Sequence, residues 1–364
     1  MYRRFFACTM YAFLSLAPAW GVPVFQIQAI GPAGYQSVAT AISGTGAVVG
    51  NYQLPDGSYR AFLWQDGQVN TLTLPPGVSQ SWATAVGGAA QAGGYIYTQS
   101  GPQAIVWDNF GTPNAGTGAY IMGLNANGDA AGMALAADGS GYAFATHNGV
   151  ITNLGQPGGG EWSSANAIND AGAVAGTAMT AAGTFRAYSA APNASASLLP
   201  GLGGANSYAM AISANGIVAG HAQSADGRLN AVVWRNGGVQ SLGTLGGGNS
   251  YAYAVSSAGQ VAGYSDLAGD SGTAAFLYEN GMLYDLNGLL SPGSDWNLLA
   301  AYGMNDNGQI VGRGLYNGVQ QAFLLTPVQP SQLAVAVTSI PEPAAIWLVG
   351  PPILAFFVLR ARKP

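Results

Sequence analysis

Two carboxylates that stand beside tryptophans are the first candidates for chemistry in this sequence. Glu161 precedes Trp162, and Asp295 precedes Trp296. Glycosidases need a pair of carboxylates that flank the bond to be broken. The two residues lie in different repeats of the chain, and nothing in the sequence brings them within reach of each other. We therefore interpret both as solvated loop residues, and we keep a hydrolase or lyase that acts on polysaccharide as the alternative function.

Histidine, asparagine and aspartate residues are the candidates for binding a metal ion. His147 and His221 stand in different repeats, and neither has a second histidine or a cysteine at the spacing that a site of three or four ligands requires. Calcium prefers oxygen ligands, which makes segments 125–129, 305–308 and 266–270 its candidates. Asn and Asp also tolerate the left-handed backbone of tight turns. We expect turns there, with 266–270 the strongest calcium candidate, and we predict no metal and no cofactor.

An aromatic residue stands shortly before the first apolar segment in each of seven repeats. Half-exposed rings can stack on sugar rings while neighbouring Asn and Ser side chains supply hydrogen bonds. The alternative is that the rings fill the space between neighbouring repeats. We call these residues the rim aromatics and take them as the candidate ligand-binding rim: Tyr35, Trp82, Tyr120, Trp162, Tyr208, Tyr251 and Trp296.

The repeats themselves follow from one pattern that recurs seven times. A short apolar segment leads into a polar turn with glycine and then into a Val-X-Gly-like strand, as in 212–220 and 304–312. Successive closing glycines are 44, 38, 44, 44, 43 and 49 residues apart. About four strands in such a period match one blade of a β-propeller. The closing glycines are Gly50, Gly94, Gly132, Gly176, Gly220, Gly263 and Gly312.

The last repeat lacks a fourth strand, and the N-terminal segment contains a predicted strand that belongs to none of the repeats. An Ala-Phe-Leu-Trp-like strand and an Asn-Gly or Asp-Gly hairpin follow most closing glycines. After Leu325, however, the chain runs into Pro327, whereas residues 24–30 form an unassigned apolar strand. We predict an all-β, seven-bladed β-propeller closed by this N-terminal strand, with a signal helix before it and a transmembrane helix after it. An open β-solenoid is the structural alternative.

Three segments of the repeats resemble a known family. The Leu-Gly-Thr-Leu-Gly-Gly link (242–247), the Ile-Asn-Asp-X-Gly turn (168–172) and the Ala-Phe-Leu-Trp strand (61–64) resemble the HAF extracellular repeat. The resemblance spans residues 22–326 and implies a secreted, propeller-like protein without established catalysis. No copy keeps the histidine of the family's His-Ala-Phe core, so any role of that histidine is absent here.

The C-terminus resembles a sorting signal. Pro341-Glu342-Pro343 precedes an apolar run, residues 344–359, and then come the basic residues Arg360, Arg362 and Lys363. This order resembles the PEP-CTERM tail of Gram-negative bacteria, which implies an exosortase-type processing enzyme as partner and a transient stay in the inner membrane. Basic residues favour the cytoplasmic side. An ordinary C-terminal membrane anchor is the alternative.

The N-terminus predicts export. Arg3 and Arg4 precede an apolar stretch and the small residues 17–19, which is typical of a secretory signal peptide. An uncleaved anchor is the alternative. We predict a signal peptide (1–21), a propeller (22–330), a linker (331–340) and a sorting tail (341–364) with a transmembrane segment (344–359).

Composition limits the possible partners. Residues 22–340 hold five arginines, no lysine and fourteen acidic residues, which gives a net charge of −9. Nucleic acid is excluded as a partner because phosphate binding needs clustered basic side chains. We predict an exported protein of the cell surface or extracellular matrix that acts as a binding or structural module and is not an enzyme. Its ligand would be exopolysaccharide or a protein partner.

Overall fold

The chain forms short antiparallel strands because small and apolar residues alternate with glycine-containing turns at close intervals. The computed structural model describes residues 24–107, 118–291 and 293–328. Within these ranges lie 27 strands and three short 3₁₀ turns, Gly88–Ala90, Ala268–Asp270 and Leu286–Leu289. Searching the described ranges reveals no helix with the length and apolar character needed to span a membrane.

The predicted terminal segments lie outside the described residues. This holds for the signal peptide (1–21), the linker (331–340) and the sorting tail (341–364) with its transmembrane segment. Those assignments therefore stay predictions.

Seven antiparallel sheets surround a central channel, and each sheet is one blade of a propeller. The prediction of an all-β, seven-bladed propeller is confirmed. We label the strands of each blade A to D from the channel outward. Blade 2 has three described strands, because residues 108–117, which follow its strand C, lie outside the described ranges. Blade 1 comprises β2 (Ser37–Ile42), β3 (Val48–Gln53), β4 (Tyr59–Gln65) and β5 (Gln68–Thr71). Blade 2 comprises β6 (Ser81–Val86), β7 (Ala92–Thr98) and β8 (Gly101–Trp107). Blade 3 comprises β9 (Ala119–Leu124), β10 (Ala130–Leu135), β11 (Gly141–His147) and β12 (Val150–Gly155).

Blades 4 to 6 repeat the same four-stranded meander, with longer inner strands than those of blades 1 to 3. Blade 4 comprises β13 (Gly159–Ile168), β14 (Val174–Thr180), β15 (Phe185–Ala190) and β16 (Ser197–Leu198). Blade 5 comprises β17 (Gly203–Ile212), β18 (Val218–Ser224), β19 (Leu229–Arg235) and β20 (Gly238–Ser241). Blade 6 comprises β21 (Gly246–Val255), β22 (Val261–Leu267), β23 (Thr273–Glu279) and β24 (Met282–Asp285).

Blade 7 joins the two ends of the propeller. Its inner strands are β25 (Trp296–Met304), β26 (Ile310–Tyr316) and β27 (Val319–Pro327), and its outer strand is β1 (Phe25–Ala29). Strand β1 pairs antiparallel with β27, and Phe25 lies opposite Pro327. The Phe25 side chain is 2% exposed and packs in the core between blades 6 and 7. The N-terminal strand therefore closes the ring, as predicted.

The core of the propeller lies between the blades. Seven clusters of buried side chains are found in the described ranges, and each joins two neighbouring blades. Alanine and valine predominate because two sheets that pack face to face leave little depth near the channel. In five blades the second residue of the Ala-Phe-like strand C pattern is a fully buried aromatic: Phe62, Phe144, Tyr188, Phe276 and Phe323.

The closing glycines allow strands A and B to approach closely. A Cβ added at Gly220 would overlap the carbonyl oxygen of Tyr208 in strand A, and the other six closing glycines have the same relation to their own strand A. In five blades the buried ring of strand C also occupies this space, as Phe276 does beside Gly263. Only glycine fits, which explains why a closing glycine recurs in every repeat.

Hydrogen bonds join each blade to its neighbour in addition to the apolar contacts. In five blades a buried serine near the start of strand A accepts the backbone N–H of an alanine in strand C of the preceding blade, at 2.8 to 3.0 Å. These bonds satisfy backbone donors that would otherwise be buried without a partner. The serines are Ser37, Ser81, Ser163, Ser207 and Ser250.

The Asn- and Asp-rich segments 125–129 and 305–308 form turns between strands A and B. Asn125 Oδ1 accepts the backbone N–H groups of Asn127 and Asp129, which holds the turn. The same turns bond to one another around the ring: Asn125 Nδ2 donates to Asn169 O at 3.0 Å, and Asn305 Nδ2 donates to Ser43 O at 3.1 Å. Their polar side chains therefore tie neighbouring blades together.

We predict that Gly220→Ala destabilises the protein by at least about 2 kcal/mol, because the added methyl group forces strands A and B apart. Equilibrium urea unfolding followed by tryptophan fluorescence measures the change. Gly288→Ala is the matched control, since nothing lies within 4 Å of a Cβ at that position. Equal stability of the two variants would contradict the close-approach explanation.

Candidate ligand-binding face

The two faces of the propeller differ in chemistry. Strand A of each blade begins at one face, which we call the aromatic face, and ends at the A–B turns of the other, which we call the turn face. The central channel has a volume of about 400 Å³. One equivalent position of strand A supplies a lining side chain in all seven blades: Thr40, Thr84, Met122, Asn166, Met210, Tyr253 and Tyr302.

The rim aromatics do not form one ring. Trp82, Tyr120, Tyr208 and Tyr251 occupy the same position of strand A, opposite the residue that follows the closing glycine in strand B. In blades 1, 4 and 7 that position holds Val38, Ser164 and Ala300. The other three rim aromatics, Tyr35, Trp162 and Trp296, lie further from the channel mouth along the chain. All seven are half-buried.

Two rim aromatics pack against their own blades. The ring centroids of Tyr35 and Tyr52 are 5.2 Å apart, and both rings contact the core between blades 7 and 1. Trp296 stacks on Tyr316 at 5.1 Å and meets the buried Phe323 edge-on at 6.2 Å. For these two residues the contacts match the packing alternative.

Two other rim aromatics belong to a cluster on blades 1 to 3. Trp82 stacks on Tyr95 at 5.4 Å and contacts Tyr59 and Tyr97, while Tyr95 also meets Tyr120. Burial raises the pKa of Tyr95 to about 12. Tyr97 is 44% exposed and forms the outer edge of the cluster.

The remaining rim aromatics take part in a continuous row of rings from blade 4 to blade 7. Successive ring centroids are 4.9 to 6.4 Å apart, and Tyr251 and Tyr264 flank the row on blade 6. The row follows the channel mouth across four blades. We call it the aromatic belt; its members are Trp162, Phe185, Tyr208, His221, Tyr253 and Tyr302.

A groove of about 530 Å³ opens at the start of this belt. Trp162, Phe185 and Tyr208 form its aromatic wall, and the side chains of Ser164, Thr177 and two methionines contribute to its lining. Asn166 also lines it. The groove thus combines stacked rings with a few hydrogen-bonding groups, which is the usual composition of a small-ligand site.

Asn166 is held in place within the groove by three contacts. Its Nδ2 donates to Ala209 O at 2.8 Å and to Thr177 Oγ1 at 3.3 Å. Ser164 Oγ donates to Asn166 Oδ1 at 2.8 Å. The second lone pair of that carbonyl oxygen is left to accept a further hydrogen bond.

His221 occupies the centre of the belt. Its ring stacks on Tyr208 at 4.9 Å and meets Tyr251 edge-on at 5.1 Å. The residue is 9% exposed, and its Nδ1 is buried without a hydrogen-bond partner among the described residues. Burial lowers the pKa of His221 to about 4. The imidazole is therefore neutral at physiological pH and behaves as one more flat ring of the belt.

The candidates for catalysis lie apart from this groove. Glu161 and Asp295 are exposed on blades 4 and 7, and neither lines the groove or the channel. His147 is also exposed, with Nδ1 at 3.3 Å from the buried Asp129 carboxylate.

The calcium candidates Asp266 and Asp270 bond to the first residues of strand A of blade 6. Asp266 accepts hydrogen bonds from both nitrogens of Asn249 at 3.0 Å, and Asp270 accepts the Gly248 N–H at 3.0 Å. Within the described ranges no three His, Cys, Asp or Glu side chains come together as a possible metal site.

One set of residues shares the channel mouth, although the sequence singled out only its His221, as a possible metal ligand. The position directly after each closing glycine lies at the channel mouth, and it holds six different residue types in the seven repeats. The sequence signal was present, because this variable position stands next to an invariant glycine. The set comprises Asn51, Tyr95, Met133, Thr177, His221, Tyr264 and Arg313.

Comparison with known proteins yields distant structural similarity only. No protein-family model matches the chain, and no curated protein matches it. The structure is similar to TolB from Acinetobacter baumannii, with 13% identity and a TM-score of 0.46, over 81% of this chain and 64% of that one. It is similar to a puromycin-hydrolyzing peptidase from Mycobacterium tuberculosis, with 14% identity and a TM-score of 0.48, over 80% of this chain and 53% of that one. A gluconolactonase from Xanthomonas campestris has 12% identity and a TM-score of 0.39, over 85% of this chain and 98% of that one.

These distant matches give no information about the function of this chain. The TolB and peptidase chains are also longer, since this chain spans less than two thirds of either.

We predict that the buried His221 makes the protein less stable in mild acid. The unfolded chain binds a proton near pH 6.5, whereas the folded imidazole resists protonation down to about pH 4. The free energy of unfolding therefore falls as pH drops, by about 2 kcal/mol between pH 7.5 and pH 5 from this group alone. Urea unfolding at the two pH values should show a smaller fall for His221→Phe. The control is His147→Gln, which removes an exposed imidazole and should show the same fall in the free energy of unfolding as the wild type. An equal fall in the wild type and in His221→Phe would contradict the prediction.

Proposed function

We propose that this protein is an exported binding module of the cell surface or extracellular matrix that holds a polysaccharide on its aromatic face. The observation that carries the proposal is the groove at the start of the aromatic belt. It places Trp162, Phe185 and Tyr208 beside the fixed amide of Asn166.

Sugar rings suit this surface for two physical reasons. The C–H faces of a pyranose are apolar and pack on aromatic rings, while its hydroxyl groups need nearby hydrogen-bonding partners. The groove offers both, because Asn166 Oδ1 retains acceptor capacity and Ser164 and Thr177 lie in the same lining. A row of rings that continues to blade 7 suits an extended ligand better than a single small molecule.

The charge of the propeller supports a largely uncharged ligand. Charged residues make up only 7% of the chain, so the surface relies on Gly, Ser, Thr, Asn and Gln for hydration. Such a surface matches the hydroxyl-rich surface of a polysaccharide and not that of a nucleic acid.

We propose a binding role and not catalysis. The two carboxylates that a glycosidase would need, Glu161 and Asp295, stand on blades 4 and 7 and outside the groove. No observation in the described ranges favours the hydrolase or lyase alternative.

The export route belongs to the same proposal. The order of Pro341-Glu342-Pro343, an apolar run and basic residues supports processing by an exosortase-type enzyme after a stay in the inner membrane. Strand β1 begins at Phe25 and β27 ends at Pro327, and these residues pair beside the A–B turn of blade 7. Both strand ends thus lie on the turn face, opposite the groove.

Replacing the groove aromatics should remove polysaccharide binding. We expect Trp162→Ala and Tyr208→Ala each to weaken binding at least about tenfold, because each removes a stacking platform. Affinity electrophoresis through gels that contain β-glucan, galactomannan, glucuronoxylan or gellan measures the change. Tyr316→Ala is the control, since this 40% exposed tyrosine stacks on blade 7 outside the groove. Failure of every polymer to retard the wild-type protein would count against the proposal.

Deleting residues 341–364 should change where the protein resides. With the tail, we expect the protein to leave the inner membrane and appear at the cell surface or in the matrix. Without the tail, it should remain in the periplasm, because the membrane-held substrate of the processing enzyme is missing. Fractionation and immunoblotting of both forms in the native host test this, and an unchanged destination would exclude the sorting role.

A further inference from the structure

Arg313 stands at the end of the aromatic belt, where blade 7 meets blade 1. It follows the closing Gly312 in β26 and lies opposite Ala300 of β25 and Ala322 of β27. Ala300 occupies the position at which four other blades carry a rim aromatic. Strand A of blade 7 therefore places no aromatic residue opposite Arg313.

Arg313 has a buried Nε that makes no hydrogen bond with the described residues. Arg313 also forms no ion pair with any described carboxylate. The residue is only partly exposed. A guanidinium has five N–H donors and no acceptor, so burial without a partner is unfavourable. A buried donor without a partner therefore calls for an explanation, and a bound ligand is one.

The equivalent residue of blade 1 shows what a satisfied side chain does at this position. Asn51 Nδ2 donates to Ala83 O at 3.0 Å, and Asn51 Oδ1 accepts the Ala83 N–H at 2.9 Å. The amide is thus paired with the backbone of the next blade. Arg313 cannot copy this pairing, because it has no acceptor for a backbone N–H. The unpaired Nε is therefore a feature of Arg313 and not of the fold.

Tyr302 connects Arg313 to the belt. Tyr302 lines the channel and contacts Tyr253, with ring centroids 5.4 Å apart. Burial raises the pKa of the Tyr302 phenol, and the nearby positive charge of Arg313 works against that rise. Arg313 therefore lies beside the last ring of the belt, where a ligand that follows the belt would end.

We propose that Arg313 binds a carboxylate of the polysaccharide that lies along the aromatic belt. This inference rests on the proposed function and adds the chemical class of the ligand, a glycan that contains uronic acid. A carboxylate matches the planar fork of a guanidinium and can accept two parallel N–H donors.

The carboxylates of this ligand should be widely spaced. Residues 22–340 carry fourteen acidic side chains against five arginines, so a chain with a charge on every sugar would be repelled. A single carboxylate among neutral sugars allows stacking along the belt and one ion pair at its end. Gellan, with one glucuronate in four sugars, has this spacing, whereas polygalacturonate does not.

Matched polymers separate the carboxylate from the rest of the ligand. Gellan and glucuronoxylan are each tested in native form and after chemical reduction of the carboxyl groups to alcohols, with the full-length protein. We expect the wild type to bind at least one native polymer about tenfold more tightly than its reduced form. Arg313→Gln should bind both forms with the affinity that the wild type has for the reduced form. Arg313→Lys should keep part of the preference, because it retains the charge and loses the fork.

Two further measurements keep the outcome clear. Sodium chloride should weaken binding of the native polymer to the wild type and leave the reduced polymer unaffected. Melting curves verify that Arg313→Gln is folded, and its unchanged sensitivity to Trp162→Ala shows that the groove is intact.

The failure of this inference differs from that of the proposed function. Equal binding of native and reduced polymers that still depends on Trp162 would overturn the role of Arg313 and leave polysaccharide binding standing. A carboxylate preference that survives in Arg313→Gln would do the same. Absence of binding to all polymers would overturn both.

Discussion

Closure of the ring is the constraint on which the whole structure depends. A four-stranded blade has no helix to cover its faces, so its apolar side chains are buried only by the two neighbouring blades. The seven hydrophobic clusters of the described chain all lie at such junctions. An open ring would expose two of these faces and two sheet edges. The pairing of Phe25 with Pro327 prevents this, and it makes the N-terminal strand as important for stability as any inner strand.

The framework is held mainly by backbone and small side chains, which frees other positions to vary. Closing glycines let strands A and B approach closely, and buried serines accept a backbone N–H from strand C of the preceding blade. Asparagines hydrogen-bond the A–B turns of neighbouring blades to each other. None of these contacts involves the side chain that follows the closing glycine, apart from the amide of Asn51. That position can therefore hold tyrosine, threonine, histidine or arginine without loss of the fold, and the chemistry of the channel mouth can change while the architecture does not.

The sequence predicted the framework well and the candidate site less well, for the same reason. Repeated glycines and Ala-Phe pairs recur because the fold requires them, so they reveal the blades and the spare N-terminal strand. Arg313 occurs once and His221 stood out only as an isolated histidine, so the repeat pattern did not indicate that both lie at the channel mouth. The rim aromatics were found because they recur, yet Tyr35 and Trp296 turned out to pack on their own blades. Proximity across blades, as between Tyr208 and Tyr253 through His221, depends on closure of the ring and has no local signal.

The two faces differ in their buried polar groups that lack a hydrogen-bond partner. Three buried side-chain atoms lack a partner in the described ranges, His221 Nδ1, Ser294 Oγ and Arg313 Nε. None belongs to the A–B turns, whose polar side chains bond to one another and to the backbone. His221 and Arg313 border the channel mouth, and Ser294 lies in the link that leads into strand A of blade 7. Each of these groups is unfavourable when left alone, so the fold by itself does not explain them. Their place near the aromatic face agrees with the ligand binding that we propose there, whereas the polar groups of the turn face already bond to one another.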